Sequence, residues 1–142
     1  MARRKPEEFL DSFTALARSI RSAAAQSYAS FDVGSTQAKF LRHVGRNSGI
    51  SQAELARATV TDPALAGRVL ETMIERGWLR RERSEQDRRQ YVLELSAAGK
   101  RACQRVEEAR LHVAERAVAA LDARDLEHFE RIANKLRAAL ED

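Results

Sequence analysis

A chain of 142 residues with 44% hydrophobic and 32% charged residues can bury one core of ordinary domain size. Aromatics make up only 6%, which suits helices better than a sheet sandwich, and a single cysteine excludes an intrachain disulfide. The net charge of +4 makes an acidic partner plausible, and no apolar run is long enough to span a bilayer.

The start, Met1-Ala2-Arg3-Arg4-Lys5, is a basic arm with no hydrophobic region behind it, so no secretory signal is read and a cytoplasmic location is expected. Phe9, Phe13, Leu16, Ile20 and Ala24 then recur at three-to-four spacing and predict a helix with an apolar seam. Val33 to Ser48 predicts a second helix. Ser35 or Thr36 can cap it, Phe40, Leu41 and Val44 form its inner face, and Gly49 stops it.

Ser51-Gln52-Ala53-Glu54 is a capping box opening a short helix whose apolar positions are Leu55 and Ala56. Ala58 to Thr61 is a turn. Asp62 then Pro63 start the next helix, an acid at the cap and a proline whose missing N–H costs nothing there. Leu65, Val69, Leu70, Met73 and Ile74 are its expected buried face, and Gly77 its left-handed end. A two-stranded ribbon follows, Leu79–Arg83 and Gln90–Leu95, in which Tyr91, Leu93 and Leu95 alternate with polar neighbours. Its polar linker runs from Ser84 to Arg89. Five arginines lie between Arg80 and Arg89, and their charge is expected to face solvent or phosphate.

A long helix from about Ser96 to Ala120 carries the small apolar residues Ala102, Val106, Ala109, Val113 and Ala117. A last one carries Leu126, Phe129, Ala133, Leu136 and Leu140. Helices at the two ends of a chain this small exceed what one core can satisfy, so they are expected to pair in a homodimer. Residues 37–95 hold eleven Lys and Arg against eight Asp and Glu, whereas residues 96–142 are balanced at nine of each. The fold expected is mainly α with a small β-ribbon: a winged helix-turn-helix over 33–95, with dimerisation helices over 1–32 and 96–142.

The order of a short capped helix, a tight turn, a longer helix ending in glycine and a basic hairpin points to double-stranded DNA. The second helix would enter a major groove. Arg68, one turn in, could grip a guanine edge, and Ala64 or Leu65 could touch a thymine methyl. Gly67 would let the backbone come close. Ser51 and Gln52 at a helix start suit phosphate, as do Arg83 and Arg88.

The chain resembles the MarR family of bacterial transcriptional regulators. The resemblance rests on Ile50 to Ala56, Asp62 to Leu70, Glu75 to Leu79, Asp87-Arg88-Arg89, and Leu93 to Gly99. Ala66 and Gly67 depart from it, standing where Ser or Thr is frequent. The resemblance implies that Arg89 is a wing arginine entering the minor groove and that Asp87 orients it. It also implies a dimer on a pseudo-palindromic operator, occlusion of a promoter, and release by a small aromatic or phenolic acid in a cleft that Phe13, Phe40 and His43 could line.

No catalytic constellation, cofactor motif or metal cluster is read. His43, His112 and His128 are far apart, and no Gly-rich phosphate loop occurs. Glu108 and His112 have a spacing that can share a metal, with His43 as a third ligand only by resemblance. Cys103 reads as a small hydrophobe rather than a redox sensor. The alternatives are a metal- or redox-responsive member of the same family, or a basic helical dimer that binds an acidic protein or polyanion without sequence preference.

Overall fold

The computed structural model describes residues 5–141. In chain order it holds α1 (Pro6–Ala29), α2 (Ser35–Arg46), β1 (Ile50–Ser51), α3 (Gln52–Ala58), α4 (Pro63–Glu75), β2 (Leu79–Arg83), β3 (Tyr91–Leu95), α5 (Ala97–Val118) and α6 (Ala123–Leu140). The mainly helical fold with a small sheet is as expected. The basic arm Met1–Arg4 lies outside the described residues. The chain forms two compact units that meet inside α5, between Ala109 and Arg110.

The first unit is built around Phe40, Leu41, Leu55, Leu70, Met73 and Leu93, all closed to solvent. Phe40, Leu41 and Val44 fall on one face of α2, as their spacing predicts. The cap of α2 is Gly34, not Ser35 or Thr36: the Gln37 side chain reaches back and accepts from the Gly34 N–H at 3.0 Å. Gly49 at φ 84° lies two residues past the helix cap, in the turn that delivers the chain to β1.

The sheet has three strands, in the order β1-β3-β2, where a two-stranded ribbon was expected. β1 is only two residues long and pairs antiparallel with β3, Ile50 opposite Leu93 and Ser51 opposite Val92. β2 and β3 pair with Leu79 opposite Leu95, Arg81 opposite Leu93 and Arg83 opposite Tyr91. Side chains alternate across a strand. Leu79, Arg81 and Arg83 therefore share the face that carries Leu93, Leu95 and Tyr91.

The turn between α3 and α4 is held by its own side chains. Thr59 Oγ1 donates to the Leu55 carbonyl at 2.7 Å and lies 2.8 Å from Thr61 Oγ1. The Thr61 N–H donates to the Ala56 carbonyl at 2.9 Å. Val60 between them has φ 50° and is 93% exposed.

Gly77 ends α4 in the left-handed region, φ 75°, and the Trp78 N–H donates to the Met73 carbonyl at 3.0 Å. Arg76 stacks on the Trp78 ring at 3.7 Å and donates to the Asp32 carbonyl at 2.6 Å, which ties the end of α4 to the α1–α2 loop. Ser96 opens α5: its Oγ accepts from the Gly99 N–H at 3.0 Å and donates to the Gly77 carbonyl at 2.5 Å.

On α1 the apolar seam of Phe9, Phe13, Leu16 and Ile20 is exposed, and so is Leu10 beside it. In the second unit, Asp122 and Asp125 form a reciprocal capping box at the start of α6. α6 buries none of its residues, and Leu126, Phe129, Ile132 and Leu140 are all exposed. No helix among the described residues is long and apolar enough to cross a membrane.

Candidate nucleic-acid interface

Helix α4 is positioned by its start. Asp62 Oδ2 accepts from the Leu65 N–H at 3.1 Å, and Pro63 occupies the first helical position. This sets the rotation of the helix. Ala66, Leu70 and Met73 face the core. Leu65, expected on the buried face, is 40% exposed, and Val69 is half-buried. The small Ala66 takes the inward place one residue later, which leaves Leu65 on the outer surface with Ala64 and Arg68. Arg68 borders a shallow cleft of about 360 Å³ with Ser35, Thr36 and Thr72, and among the described residues it has no ion pair.

Ser51 and Gln52 start α3. Ser51 is buried, and its Oγ accepts from the Glu54 N–H at 3.1 Å, the only half of the expected capping box that forms. The cap bond uses a lone pair and leaves the O–H to donate, but the residue is only 7% exposed, which favours the backbone of this turn for a phosphate. Gln52 is half-buried and stands beside Gly67 of α4. An open cleft of about 700 Å³ runs between α3, the turn and β3, with Gln52, Ala53, Ala66, Arg89 and Tyr91 in its walls.

The wing loop is ordered by short-range bonds. Ser84 Oγ accepts from the Gln86 and Asp87 N–H groups, each at 3.2 Å. Asp87 Oδ1 accepts from the Arg89 N–H and Nε, both at 3.1 Å. Arg89 holds the Asp87 carboxyl below the usual carboxylate range, against a small opposing effect of desolvation. Arg89 itself stays in solvent, its side chain 90% exposed, and Arg88 is exposed beside it.

The five wing arginines do not share one role. Arg80 pairs across the strands with Glu94 at 3.6 Å. Arg81 turns inward, against the expectation that all five face solvent or phosphate. It meets Glu71 of α4 at 2.5 Å and lies 4.7 Å over the Tyr91 ring. Arg83 also lies over the Tyr91 ring, at 4.5 Å, and donates to the Arg88 carbonyl at 2.8 Å. Strand alternation could have revealed this, since it puts Arg81 and Arg83 on the face of Leu79 and Tyr91.

Phe13, Phe40 and His43, expected to line an effector cleft, line none of the clefts described here. Phe40 is closed core, Phe13 is on the exposed face of α1, and His43 is half-buried on α2. Among the described residues no three His, Cys, Asp or Glu side chains gather as metal ligands, and Glu108 accepts instead from Gln104 at 3.4 Å. Cys103 is half-buried and donates to the Leu41 carbonyl at 3.4 Å. Burial, with Glu107 nearby, pushes its thiol above the ordinary value despite Arg42 and Arg46. A thiol held protonated is a poor nucleophile.

Two helices joined by a tight turn and followed by a basic β-hairpin define a winged helix-turn-helix. Residues 31–90 match the MarR family model, so over this segment the chain is similar to that family. The chain is 36% identical over 62 residues to the HTH-type transcriptional regulator BilQ of Clostridium symbiosum (strain WAL-14163). That match covers 44% of this chain and 43% of the relative, less than half its length.

Solved structures agree on the fold over most of the chain. A MarR transcriptional regulator from Methanosarcina mazei Go1 matches with a TM-score of 0.82 at 22% identity, covering 95% of this chain and 98% of that one. A MarR protein from Peptoclostridium difficile DA00132 gives 0.84 at 18%, covering 99% and 92%. A mutant MarR from E. coli, complexed with operator DNA, gives 0.79 at 17%, covering 89% and 91%.

Proposed function

We propose that this protein is a homodimeric, sequence-specific DNA-binding transcriptional regulator, acting in the cytoplasm as a repressor. One observation carries the reading. Helix α4 presents Ala64, Leu65, Gly67 and Arg68 on a surface with little core duty, beside a wing whose ordered loop leaves Arg88 and Arg89 in solvent. Arg68 reads a base edge in the major groove, where a guanidinium can take both acceptors of guanine. Arg89, aimed by Asp87, enters the minor groove, whose negative potential attracts it. Arg88 and the start of α3 meet phosphates, and the cleft between α3 and the wing seats the strand that passes between the grooves.

The exposed apolar residues of α1 and of α6 support a dimer, because patches of this kind on one chain mark interaction surfaces. A two-fold axis would set the two α4 helices about 34–36 Å apart, one turn of DNA, on a pseudo-palindrome. Release by a small aromatic acid belongs to this reading through the family resemblance. With Phe40 closed, such a ligand would need a site opened by the second copy or by a change of shape. It would act only if it preferred one spacing of the two α4 helices over the other.

The test is binding to DNA from just upstream of the protein's own gene, against a scrambled duplex, at about 0.15 M salt where screening is physiological. A preference of a hundredfold or more is expected. Equal binding to both duplexes would instead assign the basic surface to polyanions in general.

A further inference from the structure

Arg81 links four elements. It sits on β2, meets Glu71 of α4 at 2.5 Å, stacks on Tyr91 of β3, and donates from Nη1 to Gln52 Oε1 of α3 at 3.5 Å. A guanidinium has donors and no acceptor, so the Gln52 atom that faces it is the carbonyl oxygen. The amide nitrogen of Gln52 is thereby turned away from Arg81. It lies over Gly67: a Cβ added there would stand 3.7 Å from Gln52 Nε2 and meet nothing else within 4 Å. Gly67 is half-buried, and its missing side chain leaves room beside Gln52, which also lines the open cleft of about 700 Å³. Among the described residues the Gln52 N–H donors have no acceptor.

We propose that Gln52, aimed by Arg81, donates to operator DNA through the gap at Gly67, and that Arg81 is a positioning residue that touches no phosphate. This rests on the DNA-binding reading above. With its oxygen turned to Arg81, Gln52 presents its N–H donors rather than the donor–acceptor pair that adenine takes. It acts as a donor, so its target is an acceptor: a purine N7, a guanine O6, a thymine O4 or a phosphate oxygen. A helix with no side chain at Gly67 thus borrows a polar contact from the helix before it.

The experiment uses a duplex selected by the wild-type protein from a randomised pool. Gln52→Glu keeps an oxygen towards Arg81 and replaces the donors with a charged acceptor. It should lower affinity for that duplex more than tenfold while leaving the thermal midpoint unchanged. Arg81→Met should lower affinity severalfold without changing the slope of log affinity against log salt. A lost phosphate contact would reduce that slope by about 0.9. The double variant Arg81→Met with Gln52→Ala should bind no worse than Gln52→Ala alone. Relaxed preference at one base pair in Gln52→Ala places the acceptor on a base, and an equal loss on all duplexes places it on phosphate.

Wild-type affinity in Gln52→Glu, a reduced slope in Arg81→Met, or additive losses in the double variant would overturn the proposal. If the wild-type protein selects no duplex from the pool, the DNA-binding reading fails, and this proposal fails with it.

Discussion

Arg89 folds back onto Asp87: its backbone N–H and Nε both donate to Oδ1 at 3.1 Å, and a terminal amine donates to Oδ2 at 3.4 Å. The two residues are neighbours in the loop, so the pair needs no tertiary packing to form. It holds an exposed guanidinium in one orientation without consuming its charge in the core.

The pair has a defined pH window. The Asp87 carboxyl is depressed in the folded loop, so its contribution is fully present above the ordinary carboxylate value and is lost as pH falls through the lower folded value. Amide and side-chain NMR shifts of Arg89 should therefore be constant from pH 8 to about 5 and change only below the usual carboxylate range. Asp87→Ala should abolish this titration and weaken DNA binding severalfold. A change in the Arg89 signals near neutral pH would contradict the assignment.

Gly99 lies against the backbone of Trp78. A Cβ there would overlap the Trp78 carbonyl oxygen and stand 2.9 Å from its carbon. That carbonyl already accepts from the Ser96 N–H at 3.0 Å, so it cannot move away without breaking the start of α5. Gly99→Ala should cost about 1–3 kcal/mol, as overpacking does, and towards the upper end because the obstacle is backbone. Urea unfolding at constant m-value measures it, and an unchanged midpoint would show that α5 can shift.

Val60 is the opposite case. It holds a β-branched side chain at φ 50° with almost nothing packed on it. The left-handed region costs a non-glycine residue roughly 1–2 kcal/mol, and glycine there returns part of that as chain entropy, roughly 0.5–1 kcal/mol. Val60→Gly should raise stability by up to about 1.5 kcal/mol on these figures. A thermal melt that shows a loss would mean that Val60 makes a contact beyond this chain.

Much of this architecture was legible because its signals are local. Asp62-Pro63 and Gly77 set both ends of α4 through bonds to the nearest turns. The misses are non-local. β1 has two residues and exists only because Ile50 and Ser51 find Leu93 and Val92 far along the chain. Leu65 has the size of a core residue, but the cap at Asp62 and the turn fixed by Thr59 put Ala66 inward. Arg81 carries a charge that reads as solvent-facing until Glu71 and Tyr91 are seen beside it. Phe40 was assigned to the core by spacing and to a ligand cleft by resemblance, and the structure supports the core.

The dimer can be tested on α1. Phe13 is 56% exposed on the single chain, so a charge there costs the isolated fold little. Phe13→Glu should yield a folded monomer by sedimentation, with helical circular dichroism retained and DNA affinity reduced at least a hundredfold because one half-site is lost. An unchanged dimer would move the interface off this face of α1.

The most direct test of the central claim is the affinity of Arg68→Ala for the upstream duplex and for its scrambled form. Sequence reading by α4 predicts a loss of about 1–3 kcal/mol on the upstream duplex, relaxed preference at one base pair, and little change on the scrambled one. Equal affinity of the variant and the wild-type protein for both duplexes would contradict it.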